Sequence, residues 1–160
     1  IGTALGAVTL TSEYIAQEHG DQGMFATLCL GIINPETGEM AYVNAGHLPL
    51  LIIGKSGVRA SLNVTGPLVG MAPGLKFRSA VARIEPGEVL LGYTDGVTEA
   101  LSPDDTLYTK QRFFAFLEKS FSSALELTEE IKRDLFSHVK NAPQSDDITM
   151  IAVHRQKPAE

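Results

Sequence analysis

Residues 89–100 read VLLGYTDGVTEA, an apolar run from Val89 to Leu91 that ends on Asp95. A short apolar run bounded by turn residues reads as a buried strand, so the acid falls where the strand leaves the sheet. A second acid pair opens the last apolar run, QSDDITMIAV, at Asp146 and Asp147. If these two strands are antiparallel neighbours, the exit of one and the entrance of the other lie at the same sheet edge. Adjacent strands are about 4.8 Å apart, so the carboxylates of Asp95 and Asp146 could share a cation. Oxygen donors select Mg²⁺ or Mn²⁺ over zinc. Asp-Gly and Ser-Asp-Asp are also ordinary turn sequences, so spacing alone leaves both readings open.

The rest of the chain organises around these two strands. Residues 1–20 show helical spacing and stop at Gly20. Met24 to Ile33 is almost unbroken apolar sequence, the pattern of a strand covered on both faces. The turn NPETGE, Asn34 to Glu39, then returns MAYVNAG as a hairpin partner. LPLLIIG and VRASL form a second hairpin around KSG, and Asn63 to Lys76 forms an ordered loop. FRSAVARI alternates, EPGE turns, and VLLGYTD returns as the strand that ends at Asp95, the pattern of a further hairpin. Helices are expected over 109–120 and 122–142, the second opened by a capping box of Ser123 and Glu126. Runs of strands set apart from helices indicate an α+β fold.

Length and charge narrow the function. The chain's 160 residues are enough for one domain with a real core. A net charge of −6 speaks against nucleic acid as the main partner and against a nuclease. No apolar run is long enough to span a membrane, and no signal peptide is evident. Cys29 is the only cysteine, so a cysteine-ligated zinc site is excluded and a reducing, cytoplasmic compartment is expected. Within FATLCLGII it reads as a small core residue. His19, His138 and His154 fall at element ends and are expected to be exposed.

YTDGVTEA and SDDIT, with FATLCLGIINPETGEMAYVNAGHLPLLI before them and IEPGEVLL between, resemble the metal-dependent protein phosphatases of the phosphatase-2C type. The branch resembled is that of the sporulation stage II protein E, and the match runs from about Phe25 to Val153. The resemblance implies an αββα sandwich of antiparallel sheets flanked by helices, with two divalent cations, Mn²⁺ or Mg²⁺, at one edge. It implies that Asp95 and Asp146 bind metal and carry the chemistry. Asp147 would orient the site and Gly96 would let the chain turn close to the ions. Thr94, Thr98 and Thr149 would hydrogen-bond the ligating carboxylates, or serve only as strand threonines. Glu99 reads as a solvated loop acid ahead of an outer acid near the ions. His47, in the NAGH turn, is assigned a turn-shaping role ahead of a general-acid role.

The implied reaction is hydrolysis of phosphoserine or phosphothreonine by a metal-activated water. The implied partner is a phosphorylated regulator such as an anti-sigma-factor antagonist. A sensor or receiver domain upstream and a homodimer are further expectations. The family's first strands, with their metal-binding aspartate, have no counterpart before Met24, and the opening helix resembles the family's second helix. Residues 1–155 are therefore expected to be an N-terminally incomplete catalytic domain, with weak cation affinity and little turnover if the chain stands alone, and 156–160 to be a frayed tail. A truncated fragment, numbering over part of a longer protein, and a partner chain supplying the edge all remain open. The alternative reading is a catalytically incomplete docking or dimerisation module.

Overall fold

The computed structural model describes residues 2–157, with side chains from residue 4, and consists of two compact units. One comprises residues 1–49 and 62–84, the other residues 50–61 and 85–160. Among the described residues no helix is long and apolar enough to cross a membrane. The expected tail lies largely outside the described residues.

The first unit holds helix α1 (Gly2–His19) and a three-stranded antiparallel sheet in the order β1 (Leu28–Ile33), β2 (Glu39–Ala45), β5 (Ala80–Arg83). Leu28, Leu30, Val43 and Ala45 share one face, because strand side chains alternate. Val8, Val43, Ala45, Val69 and Phe77 form the buried cluster there, with Leu5, Ile15, Leu28 and Leu30 against it. The expectation that the first strand is covered on both faces does not hold. β1 lies at the sheet edge, and Ile32 and Ile33 at its far end are exposed. An unbroken apolar run cannot tell a central strand from an edge strand.

In the second unit the order is β4 (Gly57–Leu62), β3 (Leu50–Gly54), β6 (Val89–Tyr93), β7 (Met150–His154). β6 is buried at every position, as its apolar run implies. β7 alternates, exposing Ile151 and Val153. β5 and β6 belong to different sheets, so EPGE joins two sheets and does not close a hairpin. Helices α3 (Lys110–Phe116) and α4 (Ala124–Val139) also belong to this unit. Leu127, Ile131, Leu135 and Val139 are the buried stripe of α4, at the four-residue spacing that keeps side chains on one helix face. The capping box is half formed. Ser123 Oγ accepts from Glu126 N at 3.0 Å, but the Glu126 carboxylate accepts from the backbone N–H and hydroxyl of Ser122, one residue earlier than the motif implies. Tyr108 donates its hydroxyl to Asp134 at 2.6 Å, and Arg112 makes two bonds to the same carboxylate, tying α3 to α4.

Cys29 is half-buried, and burial pushes its thiol up, away from thiolate chemistry. His19, His138 and His154 are half-buried and not exposed as expected. His138 explains its own case, with one ring nitrogen 2.9 Å from Thr106 O and the other 3.1 Å from Arg112.

Among the described residues, the largely buried acid of this unit is Glu88, only 8% exposed. Arg59 donates to both its oxygens, at 2.5 and 2.7 Å, and Glu85 N donates to Oε2 at 2.7 Å. Burial pushes this carboxyl up, but the Arg59 hydrogen bonds, the Glu85 N–H and the Arg59 charge together hold it below its ordinary value of 4.5. A depressed carboxyl stabilises the fold above its unfolded value, and that contribution disappears as pH falls through the folded one. Arg59→Met should cost about 2 kcal/mol at neutral pH, less than for a fully buried pair because Arg59 is half exposed. Urea unfolding should show the gap between parent and variant closing as pH drops below 4.5.

Candidate metal centre

The two acidic motifs meet because β6 and β7 are antiparallel neighbours in register, with Tyr93 opposite Met150. One step beyond that pair, the ladder is completed by a side chain. Thr94 N donates to Thr149 O at 3.1 Å, while Thr149 N donates to Thr94 Oγ1 at 3.0 Å. The same hydroxyl donates to Asp147 O at 2.8 Å. Thr94 therefore clamps the start of β7 to the end of β6, using both the donor and acceptor capacity of one hydroxyl. A valine of similar shape would lose both bonds.

Asp95 then opens a four-residue helix, α2 (Asp95–Thr98), with Thr94 as its N-cap. This helix is absent from the reading of the sequence, in which Asp95 simply ends a strand. Four residues are too few to show helical periodicity. The turn is held by Glu99 N donating to Asp95 O at 2.8 Å and by Thr98 Oγ1 donating to the same oxygen at 3.2 Å. Gly96 N donates to Asp95 Oδ1 at 3.1 Å and fixes the carboxylate's orientation.

Gly96 is where the two motifs touch. A Cβ there would lie 2.5 Å from Asp147 O and 2.9 Å from Asp147 C. Glycine is required by this close approach of two backbones and not by its φ, which is not positive. Across the contact, Asp147 N donates to Asp146 Oδ1 at 2.7 Å, and Gln144 Nε2 donates to Asp146 O at 2.8 Å. Gln144 was not singled out from sequence, and its neighbours Pro143 and Ser145 make it look like loop filler.

Asp95, Asp146 and Asp147 are exposed, whereas Gly96 and Val97 are buried. Among the described residues none of the three acids forms an ion pair. Nor is any group of three or more His, Cys, Asp or Glu arranged among the described residues to hold a metal ion. The donor set is thus short and made wholly of hard oxygen donors. That chemistry fits Mg²⁺ or Mn²⁺, since Mg²⁺ is commonly held by one or two carboxylates and keeps several waters.

The remaining candidates divide. The Thr98 hydroxyl donates within its own helix turn, and Glu99 is exposed. In the first unit, the Asn44 side chain is fully buried, accepting from His47 N at 2.9 Å and donating to Leu62 O at 3.1 Å. His47 Nδ1 lies 2.8 Å from Leu48 O. Its contacts are those of a turn.

The family model for Stage II sporulation protein E (SpoIIE) matches residues 3–156. Protein IcfG of Synechocystis sp. is 48% identical over 151 residues, which is 94% of this chain and 24% of IcfG. Two phosphoserine phosphatases of Bacillus subtilis are also similar. RsbU is 24% identical over 89% of this chain and 42% of its own length; RsbP is 38% identical over 70% and 26%. The chain thus spans less than half the length of these curated relatives. The SiaA-PP2C domain of Pseudomonas aeruginosa has the same fold, with a TM-score of 0.76 at 17% identity, covering 94% of this chain and 60% of that one. The manganese-presoaked phosphatase domain of SpoIIE from Bacillus subtilis is also similar, with a TM-score of 0.62 at 14% identity, over 84% and 58%. Two antiparallel sheets with helices, one edge at which TDG meets SDD, and a family match over nearly the whole sequence have one explanation: the chain belongs to the SpoIIE family of PP2C-type phosphatase domains.

Proposed function

We propose that this chain hydrolyses phosphoserine or phosphothreonine in a bacterial regulatory protein, with residues 1–155 as the catalytic domain. Asp95 and Asp146 hold divalent cation, two Mn²⁺ or Mg²⁺ in the complete site, and Asp147, Gly96, Thr94 and Thr149 keep them in place. The observation that carries this reading is the backbone contact of Gly96 with Asp147, which brings the two acids to one edge. Bound cation would supply charge neutralisation at the phosphoryl oxygens and a water of lowered pKa. The residues themselves orient. Gly96 N fixes the Asp95 carboxylate, Asp147 N fixes that of Asp146, and the Thr94 hydroxyl sets the separation of the two segments. A phosphorylated anti-sigma-factor antagonist is the substrate class that the similarity to RsbU and RsbP favours. A sensory domain in the same protein is consistent with relatives more than twice as long as this chain.

A phosphoserine peptide incubated with Mn²⁺ tests the reading through free phosphate. Release that chelation abolishes is the expected result. Equal release with chelator present, or none at any Mn²⁺ concentration, would contradict it. The shortage of a third acidic donor among the described residues favours a second reading, a docking or dimerisation module without turnover. That module would bind its partner equally well with and without Mn²⁺.

A further inference from the structure

Beside the acids lies a cavity of about 180 Å³ that the proposed chemistry does not use. Leu101, Phe136, Val139, Pro143 and Ile148 contribute apolar lining, and Gly96 and Asp146 line it as well. It therefore shares Gly96 and Asp146 with the candidate metal centre. An apolar cavity of about 150 Å³ is large enough to take up benzene, so this one suits a single large aliphatic or aromatic side chain. Phe136 is 50% exposed although α4 has a complete buried stripe elsewhere, so its ring is left for something other than the core.

Lys140 sits on the cavity lining at the C-cap of α4. Its backbone is at φ +51° and ψ −111°, a region that glycine occupies freely and that costs a side-chain-bearing residue on the order of 1–3 kcal/mol. A glycine is the usual residue just past a helix end. Here a strained, exposed lysine stands there instead, and among the described residues it forms no ion pair. A cavity lined in part by apolar side chains, with a cation and a metal-site acid also on its lining, matches an anionic segment that carries a hydrophobic side chain.

We infer that this cavity is the specificity pocket for the phosphorylated segment of the protein substrate, taking an apolar side chain close to the phosphoserine while Lys140 attracts the segment's negative charge. The inference rests on the phosphatase reading and adds to it the kind of sequence that is recognised. Elements far apart in sequence build the pocket: the loop after α2, the last turn of α4, and the segment leading into β7.

The test uses the full chain with Mn²⁺ and two series of phosphoserine peptides. In one, leucine is moved through the positions flanking the phosphoserine; in the other, those positions are all polar. The parent should prefer the best leucine peptide by about tenfold or more in kcat/KM, the range an apolar pocket gives. Phe136→Ala removes one wall, and Ala142→Leu fills the cavity from another side. Both should bring that preference close to one. Fluorescence anisotropy, read on the same peptides without turnover, should show the same selectivity. Turnover without selectivity, or a preference unchanged in both variants, would overturn the pocket. Selective binding without turnover in the parent would leave the pocket standing and remove the phosphatase reading. If neither turnover nor selective binding appears, both are wrong.

Discussion

Asp95→Asn should abolish Mn²⁺-dependent phosphoester hydrolysis while the protein stays folded. The substitution keeps the shape of the side chain and an oxygen to accept from Gly96 N, the one hydrogen bond the carboxylate makes among the described residues. Because Asp95 is exposed and in no ion pair, stability should change by no more than about 0.5 kcal/mol. What is lost is the anionic donor. Charge stabilisation by a bound cation is worth several kcal/mol, so the rate should fall by roughly two to three powers of ten or more. Phosphate release at saturating Mn²⁺, measured beside a urea titration of the same sample, separates loss of chemistry from loss of fold. Equal loss of both would make Asp95 a structural residue.

Gly96→Ala should damage the same site by a different route. The new Cβ would lie within 2.5 Å of Asp147 O and 2.9 Å of Asp147 C, and backbone atoms cannot swing aside as a side-chain tip can. Gly96 is also buried, so the chain has no room to move into. Relief must come from separating the start of α2 from the segment entering β7, which strains the Thr94 clamp. Overpacking of this kind costs about 1–3 kcal/mol. At 2–4 °C per kcal/mol for a chain of this size, the melting temperature should drop by roughly 2–12 °C. Cation affinity should fall at least about tenfold, as it does when groups supporting metal ligands are displaced. Thermal unfolding gives the first quantity and calorimetric titration the second. A variant that melts like the parent and binds Mn²⁺ equally would show that the contact does not position the acids.

The meeting of the two acidic motifs was legible in the sequence on the condition that their strands are antiparallel neighbours, and the metal-binding role came from the family resemblance. Once VLLGY and ITMIAV are read as antiparallel neighbours, Asp95 and Asp146 must emerge at one edge, and the register of Tyr93 with Met150 has that consequence. The long helices were legible for a similar reason, since their stripes repeat at a period no strand shares. Features decided by only a few residues were not. α2 is shorter than the window needed to see a period, and the Glu126 carboxylate turns to Ser122 although the Ser-x-x-Glu pattern points to Ser123. The run from Met24 to Ile33 reads as doubly covered, yet β1 is an edge strand, because apolar content does not encode which neighbours a strand has. EPGE looks like a hairpin turn and instead carries the chain from one sheet to another. The cavity beside Asp146 left no trace at all, since its walls come from segments some forty residues apart and its lysine stands where glycine is usual.

Calorimetric titration of Mn²⁺ into the full chain, beside Asp95→Asn, tests most directly whether these acids form a cation site. The parent should bind with a Kd tighter than about 1 mM, near −4 kcal/mol, and the variant should give no heat. A folded parent that gives no heat, or a variant that binds as the parent does, would contradict the site proposed at Asp95 and Asp146.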